Sequence, residues 1–154
     1  MHAHPIRTNL GTEMSDIRPV DQCDPDSVEA ADRLLRVVYP GSEHRFEPQR
    51  CGEDVPVLLA YEASRAGGLV TATFVHDGWE PYGLIGQLVV VPELRRRGIG
   101  RQLVVSACEL LVRRGAVVVF VTTNTAEAEH FYRHVGFAPP GPWLAPAPGN
   151  PGPI

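Results

Sequence analysis

A largely apolar run from Leu84 to Val91 meets Pro92, then the turn Arg95-Arg96-Arg97-Gly98-Ile99-Gly100-Arg101, beyond which apolar residues recur at helical spacing. That order reads as a strand feeding an arginine- and glycine-rich turn that opens a helix. The first N–H groups of a helix have no partner inside it, and glycines let a ligand come close to them. Such a turn suits phosphate. The ligand expected here carries a pyrophosphate, gripped by main-chain N–H groups from Arg96 to Arg101. The plainer alternative is a surface turn with solvated arginines.

Two commoner glycine loops do not fit. A dinucleotide-binding turn needs a third glycine where Leu103 stands. A P-loop needs a lysine, and the chain has none. What fits is Arg/Gln-x-x-Gly-x-Gly/Ala, met by Arg95, Gly98 and Gly100 and preceded by Val89-Val90-Val91-Pro92-Glu93. A second pattern follows. The β-branched run Ala116 to Thr122 leads into Thr123-Asn124-Thr125, and then into Ala128-Glu129-His130-Phe131-Tyr132-Arg133-His134-Val135-Gly136-Phe137.

Together these two segments resemble the signatures of the GNAT superfamily of N-acetyltransferases. The resemblance runs from about Ile17 to Phe137, with its specific motifs between Gly83 and Phe137. It implies an α+β fold (α/β three-layer), with a mixed central sheet of about six strands flanked by helices. It also implies acetyl-CoA as cosubstrate, no metal, and direct attack by a primary amine of a small molecule or a peptide N-terminus in a ternary complex.

By the same resemblance, Arg96, Arg97, Gly98, Ile99, Gly100 and Arg101 hold the pyrophosphate. Main-chain groups of Val89 and Val91 pair with the pantetheine arm. Tyr132 gives a proton to the departing thiolate, the alternative being a tyrosine that only packs its helix onto the sheet. Asn124 hydrogen-bonds the pantetheine. It stands eight residues before Tyr132, whereas relatives use seven, the place of Thr125; the Thr-Thr-Asn-Thr run also reads as a helix N-cap. The base is left open. Gln87 occupies the strand where relatives often carry a glutamate, and Glu62, His76, Asp77 and Glu80 are other candidates or plain surface groups. An amine arriving neutral, or a water relay, would need none of them.

Length and composition narrow the rest. With 154 residues, 44% of them hydrophobic and 21% charged, the chain reads as one soluble domain with a sizeable core. A net charge of −4 argues against a general nucleic-acid binder, while four arginines between Arg95 and Arg101 suit a small polyanion. Cys23, Cys51 and Cys108 are odd in number and irregularly spaced, which favours free thiols and a cytoplasmic location over a disulfide or zinc framework. No apolar run is long enough for a membrane helix, and no membrane partner is expected. The absence of lysine matches a high-GC coding bias and leaves none for self-acetylation.

Residues 1–13 read as a disordered extension, 14–138 as the domain and 139–154 as a tail with seven prolines, unable to form a central strand. The domain opens with a strand at Ile17 to Val20. A helix follows, capped by Asp24 or Asp26, with Val28, Ala31, Leu34, Leu35 and Val38 on one face. Tyr39 to Val55 reads as a charged loop bordering the acceptor site. Strands Pro56 to Ser64 and Leu69 to His76 are expected around a turn at Ala66-Gly67-Gly68. A last strand would have only Pro142 to Ala145, around Trp143, to form from.

The acceptor is ambiguous. Glu43, Glu47, Asp77, Trp79, Glu80 and Tyr82 suit a cationic amine, whereas Arg45 and Arg50 suit a carboxylate. Two rival readings stand beside the enzyme: an acyl-CoA-binding sensor or accessory domain of the same fold, and a homodimeric interaction module using the proline-rich tail.

Overall fold

The structure, a computed structural model, describes residues 15–41, 46–47, 52 and 54–138. The proposed extension (1–13), the tail (139–154) and most of the expected acceptor-side loop, including Glu43, Arg45 and Arg50, lie outside the described residues.

Helix α1 (Pro25–Val38) starts where Asp24 accepts a hydrogen bond from the Asp26 N–H, with Pro25 in the first turn, where its missing donor costs nothing. Ser27, Ala31 and Leu34 form its buried stripe. Five strands follow the sequence order across the sheet: β1 (Asp16–Pro19), β2 (Val57–Glu62), β3 (Arg65–Val75), β4 (Tyr82–Val90) and β5 (Val118–Val121). The first four pair antiparallel, and β4 pairs with β5 in parallel. A parallel neighbour requires a crossover. Helix α2 (Ile99–Arg114) supplies it, and α3 (Ala126–Val135) follows β5.

The sheet separates two apolar layers. On one face Ala31 and Leu34 of α1 meet Val57, Leu59, Leu69 and Val89. On the other, Leu103, Val104, Ala107 and Leu111 of α2 and Tyr132 of α3 meet Leu58, Val70, Ile85 and Val121. The expected three-layer α+β architecture is present, with five strands among the described residues rather than about six. The segment around Trp143 lies outside them.

One expected turn is misplaced. The β2–β3 hairpin turns at Ala63 (φ 48°) and Ser64 (φ 67°), both left-handed as a two-residue hairpin requires. Gly67 and Gly68 lie inside β3 instead. They are glycines because α2 and the turn before it press on the strand. A Cβ at Gly67 would strike the Leu94 side chain, and one at Gly68 would lie 2.9 Å from Leu103 Cδ1. Close approach, not reversal, sets those residues.

Candidate active site

Strand β4 changes partner part-way along. Tyr82 to Ile85 pair with β5, whose last paired residue is Val121. Immediately beyond, Gly86 and Gln87 interrupt the β3 ladder, which steps from Ala72↔Ile85 to Val70↔Leu88. This is a bulge: two β4 residues stand opposite Thr71, whose Oγ1 accepts the Gln87 N–H at 2.8 Å. Gly86 is required there because a Cβ would run into Thr71 Oγ1. From the bulge onward β4 leaves β5, and its far edge faces a groove.

The main-chain groups on that edge follow from strand alternation. The Val91 N–H donates to the Gly67 carbonyl on β3 at 2.9 Å. Val91 and Val89 therefore turn their polar groups toward β3, while Leu88 and Val90 turn theirs to the open edge. The pair expected to meet a pantetheine arm, Val89 and Val91, is thus one residue out of phase. The extra residue of the bulge resets the alternation, and a glycine followed by a polar residue within an apolar strand was its available signal. Val89 touches the groove; Val91 does not line it.

The groove, about 830 Å³, is walled by Leu88 to Val90, by the turn and start of α2, by Thr122 to Thr125 after β5, and by α3. That volume falls in the range of small-molecule and cofactor sites. At its centre α2 begins without a side-chain cap: Gly98 (φ 79°) is the N-cap residue, and the first intrahelical bond runs from Gln102 N–H to the Gly98 carbonyl. The N–H groups of Ile99, Gly100 and Arg101 have no acceptor within the helix. Arg96 is also left-handed (φ 63°), and left-handed residues in a turn gather N–H groups into an anion-binding concavity. Gly100 lines the groove, and a Cβ there would meet Phe131 and Val90.

The arginines divide. Arg95 Nε donates to the Val90 carbonyl at 2.9 Å, on the open edge. Arg101 Nη1 donates to the His134 carbonyl at 3.0 Å. Arg97 turns away from the groove to Glu62, at 3.3 Å. Arg96 lines the groove, and among the described residues its guanidinium has no partner.

Tyr132 is 6% exposed, its ring held edge-on between Phe131 and Phe137. It also lines the groove, and its hydroxyl has no hydrogen-bond partner among the described residues. Burial first, then the neighbouring Cys108, pushes the phenol up to about 12; burial pushes the Cys108 thiol to about 11, with Glu109 adding to it. Tyr132 is therefore a neutral donor throughout the ordinary pH range. Packing does not exclude chemistry at this residue, since the ring makes the contacts and the hydroxyl is left without a partner among the described residues.

After β5, Thr125 caps α3 by accepting from the Ala128 N–H at 3.1 Å, and it also lines the groove. Asn124 lines the groove. None of the expected bases does so: Glu62 holds Arg97, while His76, Asp77 and Glu80 flank or occupy the β3–β4 connection, with Trp79 there 82% exposed. Tyr82 packs edge-on to Phe120 at the other end of β4. Gln87 lines the groove, and its Nε2 donates to the Tyr39 hydroxyl at 2.6 Å. Sequence reasoning missed the groove residues Glu127, His130 and His134, which carry no motif of their own.

A splayed parallel pair, an uncapped helix start and a buried tyrosine share one groove, and the family model for the Acetyltransferase (GNAT) family matches residues 28–137. The chain belongs to the GNAT acetyltransferase family. Several solved structures share the fold. An aminoglycoside acetyltransferase from an uncultured soil metagenomic sample, in complex with sisomicin, superposes with a TM-score of 0.68 at 19% identity, covering 79% of this chain and 86% of that one. AAC(6′)-Iy in complex with a bisubstrate analogue gives 0.72 at 18% identity, covering 82% and 92%. Glucosamine-6-phosphate N-acetyltransferase from Arabidopsis thaliana gives 0.70 at 18% identity, covering 88% and 99%. Among curated protein sequences none matches this chain significantly. Among the described residues of this GNAT chain, no helix is long and apolar enough to cross a membrane.

Proposed function

We propose that this GNAT chain transfers the acetyl group of acetyl-CoA to a primary amine of a small molecule by direct attack in a ternary complex. One observation carries the reading: the open main-chain edge at Leu88 and Val90 ends at the uncapped start of α2, within one groove that Tyr132 also lines. An extended amide-bearing arm can add to a strand edge, and a pyrophosphate to a helix start. The residues present fit both ends of the cosubstrate. The similar structures with aminoglycoside or bisubstrate ligands support a small amine acceptor.

When bound, acetyl-CoA supplies the activated acyl group as a thioester. The N–H groups of Ile99, Gly100 and Arg101, with Arg96, hold the diphosphate. Leu88 and Val90 would fix the arm through their main chain, and an N–H on the same edge could donate to the thioester carbonyl as charge develops there. Val90 must first give up Arg95 as the partner of its carbonyl. Asn124 supplies side-chain hydrogen bonds from the opposite wall. Tyr132 donates to the sulfur as the C–S bond breaks. An ordinary thiol titrates near 8.5, well below a phenol held at about 12, so full proton transfer is uphill in the empty site. Hydrogen-bond donation to the thiolate already stabilises it, and the proton lost by the attacking nitrogen balances the thiol that leaves.

With Gln87 on the strand and no aspartate or glutamate beyond Glu127 on the described groove wall, the amine is taken up in its neutral form or loses its proton to water. The same feature favours a second reading, a sensor that binds acyl-CoA without turning it over. Thiol release from acetyl-CoA across a panel of primary amines decides between them. Amine-dependent release supports the enzyme; saturable binding without release supports the sensor.

A further inference from the structure

Away from the turn, the groove is bordered by the C-terminal end of α1. Val37 and Val38 line it there and are exposed, and the next residue, Tyr39, accepts a hydrogen bond from Gln87 Nε2 at 2.6 Å. Gln87 belongs to the β4 bulge, where its N–H is held by Thr71 Oγ1 at 2.8 Å. It is thus fixed twice, from β3 through the main chain and from α1 through the side chain. With the diphosphate at the start of α2 and the arm along Val90 and Leu88, the acyl carbon comes to the far end of that edge, beside Gln87. The described walls at this end, Val37, Val38, Gln87 and Leu88, carry no charge. Whichever way round its amide sits, a glutamine neither holds a cation as a carboxylate does nor takes its proton.

We propose that Gln87 makes this enzyme selective for primary amines of low basicity over alkylammonium acceptors. The inference rests on the acetyl-CoA reading above and names the acceptor class of that same site. An ammonium ion has no lone pair to attack with, and moving it from water to the apolar lip of Val37 and Val38 carries a penalty that no described carboxylate there offsets. A neutral amine avoids that penalty. Its lone pair forms the C–N bond as the C–S electrons leave on sulfur, and the proton shed by the nitrogen balances the one the thiol gains. An α-amine titrates at about 7.8 and a lysine-type amine at about 10.4, so at about pH 7 the neutral fraction of the first is larger by about two to three powers of ten. The greater nucleophilicity of the stronger base recovers only part of that. The charged and titratable groups facing the groove are Arg95 and Arg96 from the turn, Arg101 from α2, and Glu127, His130, Tyr132 and His134 from α3. The arginines accept no proton, and Tyr132 is a donor. On α1, Asp32 is paired with Arg36 and does not line the groove. Proton uptake by Glu127 or by either histidine would appear as a rate limb common to all amines.

The test is kcat/KM for the amine at saturating acetyl-CoA, read from thiol release by the full chain between about pH 6 and about pH 10. Propylamine and phenethylamine serve as acceptors, each beside its β,β-difluoro derivative, which has nearly the same size and much weaker basicity. Each amine should give one limb, rising about tenfold per pH unit and levelling where that amine itself loses its proton. At about pH 7 the difluoro member of each pair should be preferred about tenfold or more, and the preference should fade toward about pH 10. Gln87→Glu supplies a carboxylate that holds the ammonium and takes its proton, so the limb of each parent amine should move toward acid and the preference shrink to about twofold or less. Melting checks the fold of that variant, and the wild-type profiles decide the matter without it. Glu127→Gln should leave every limb where it is. A limb at one pH shared by amines of different basicity, equal rates within each pair at about pH 7, or a limb lost in Glu127→Gln overturns the proposal while leaving acetyl transfer intact. Absence of amine-dependent thiol release at every pH overturns both.

Discussion

Removing one oxygen from Tyr132 separates its two duties. The Tyr132→Phe ring keeps its edge-on contacts with Phe131 and Phe137, and no hydrogen bond among the described residues is lost with the hydroxyl. Turnover should fall about a hundredfold, the lower range for a single acid–base group, with acetyl-CoA affinity and melting temperature nearly unchanged. Steady-state kinetics beside calorimetry check this, and unchanged turnover would leave Tyr132 as a packing residue. Alkali reads the same environment. Free of the fold, Cys108 and Tyr132 would ionise near 9.0 and 10.0; folded, burial holds them at about 11 and about 12. Both folded values are raised, so the stability they contribute is complete below about pH 9 and is lost as pH climbs toward about 12. Absorbance of phenolate during alkaline titration should show one of the four tyrosines ionising late, together with unfolding. Ionisation of Tyr132 near 10 in a folded chain would contradict the buried environment.

Two elements fix the site, the β4 bulge and the turn into α2, and each has a glycine whose reason differs. Gly98 has open space around its missing Cβ but a φ of 79°. Gly98→Ala should cost roughly 1–2 kcal/mol of stability by backbone strain alone and weaken coenzyme binding. Gly100 is helical, and a Cβ there would meet Phe131 at an ordinary 3.4 Å, so Gly100→Ala should leave melting unchanged or slightly raised. Equal losses from both changes would refute this division. At the bulge, Gly86→Val drives a side chain into Thr71 Oγ1, the acceptor of the Gln87 N–H, and should abolish coenzyme binding before it unfolds the domain.

These elements also show what was legible in the sequence. The arginine–glycine turn, the long helix and the Tyr132 helix are short-range patterns that one segment specifies by itself, and the three layers were expected from the family resemblance that those segments carry. The phase of β4 was not legible. It depends on a residue added opposite Thr71, a partner on another strand that periodicity along one strand cannot see. The hairpin was misread for a similar reason. Gly67 and Gly68 look like turn residues locally, but Leu94 and Leu103, remote in sequence, account for them. His130 and His134 were missed because their place on the groove is set by how α3 packs beside the start of α2, which their own segment does not specify.

At the scale of the whole molecule, the sheet works as a clamp that opens at one end. Parallel pairing of β4 with β5 holds from Tyr82 to Ile85, and the two strands then part to leave a slot backed by α2 and flanked by α3. The buried layer of Leu103, Val104, Ala107 and Leu111 fixes the angle of α2, and so where its amides point. Leu103→Ala should cost about 2–5 kcal/mol and loosen that direction. A second hollow, lined by Pro19, Val57, Leu110 and Arg114, lies away from the slot and shares none of its walls. Residue-resolved amide NMR during titration with acetyl-CoA asks most directly whether the slot is the coenzyme site. Saturable shifts should concentrate at Leu88, Val90, Arg96 to Arg101 and Thr122 to Ala128, sparing β1 and β2. Absence of saturable shifts, or shifts gathered around Val57 and Leu110 instead, would contradict it.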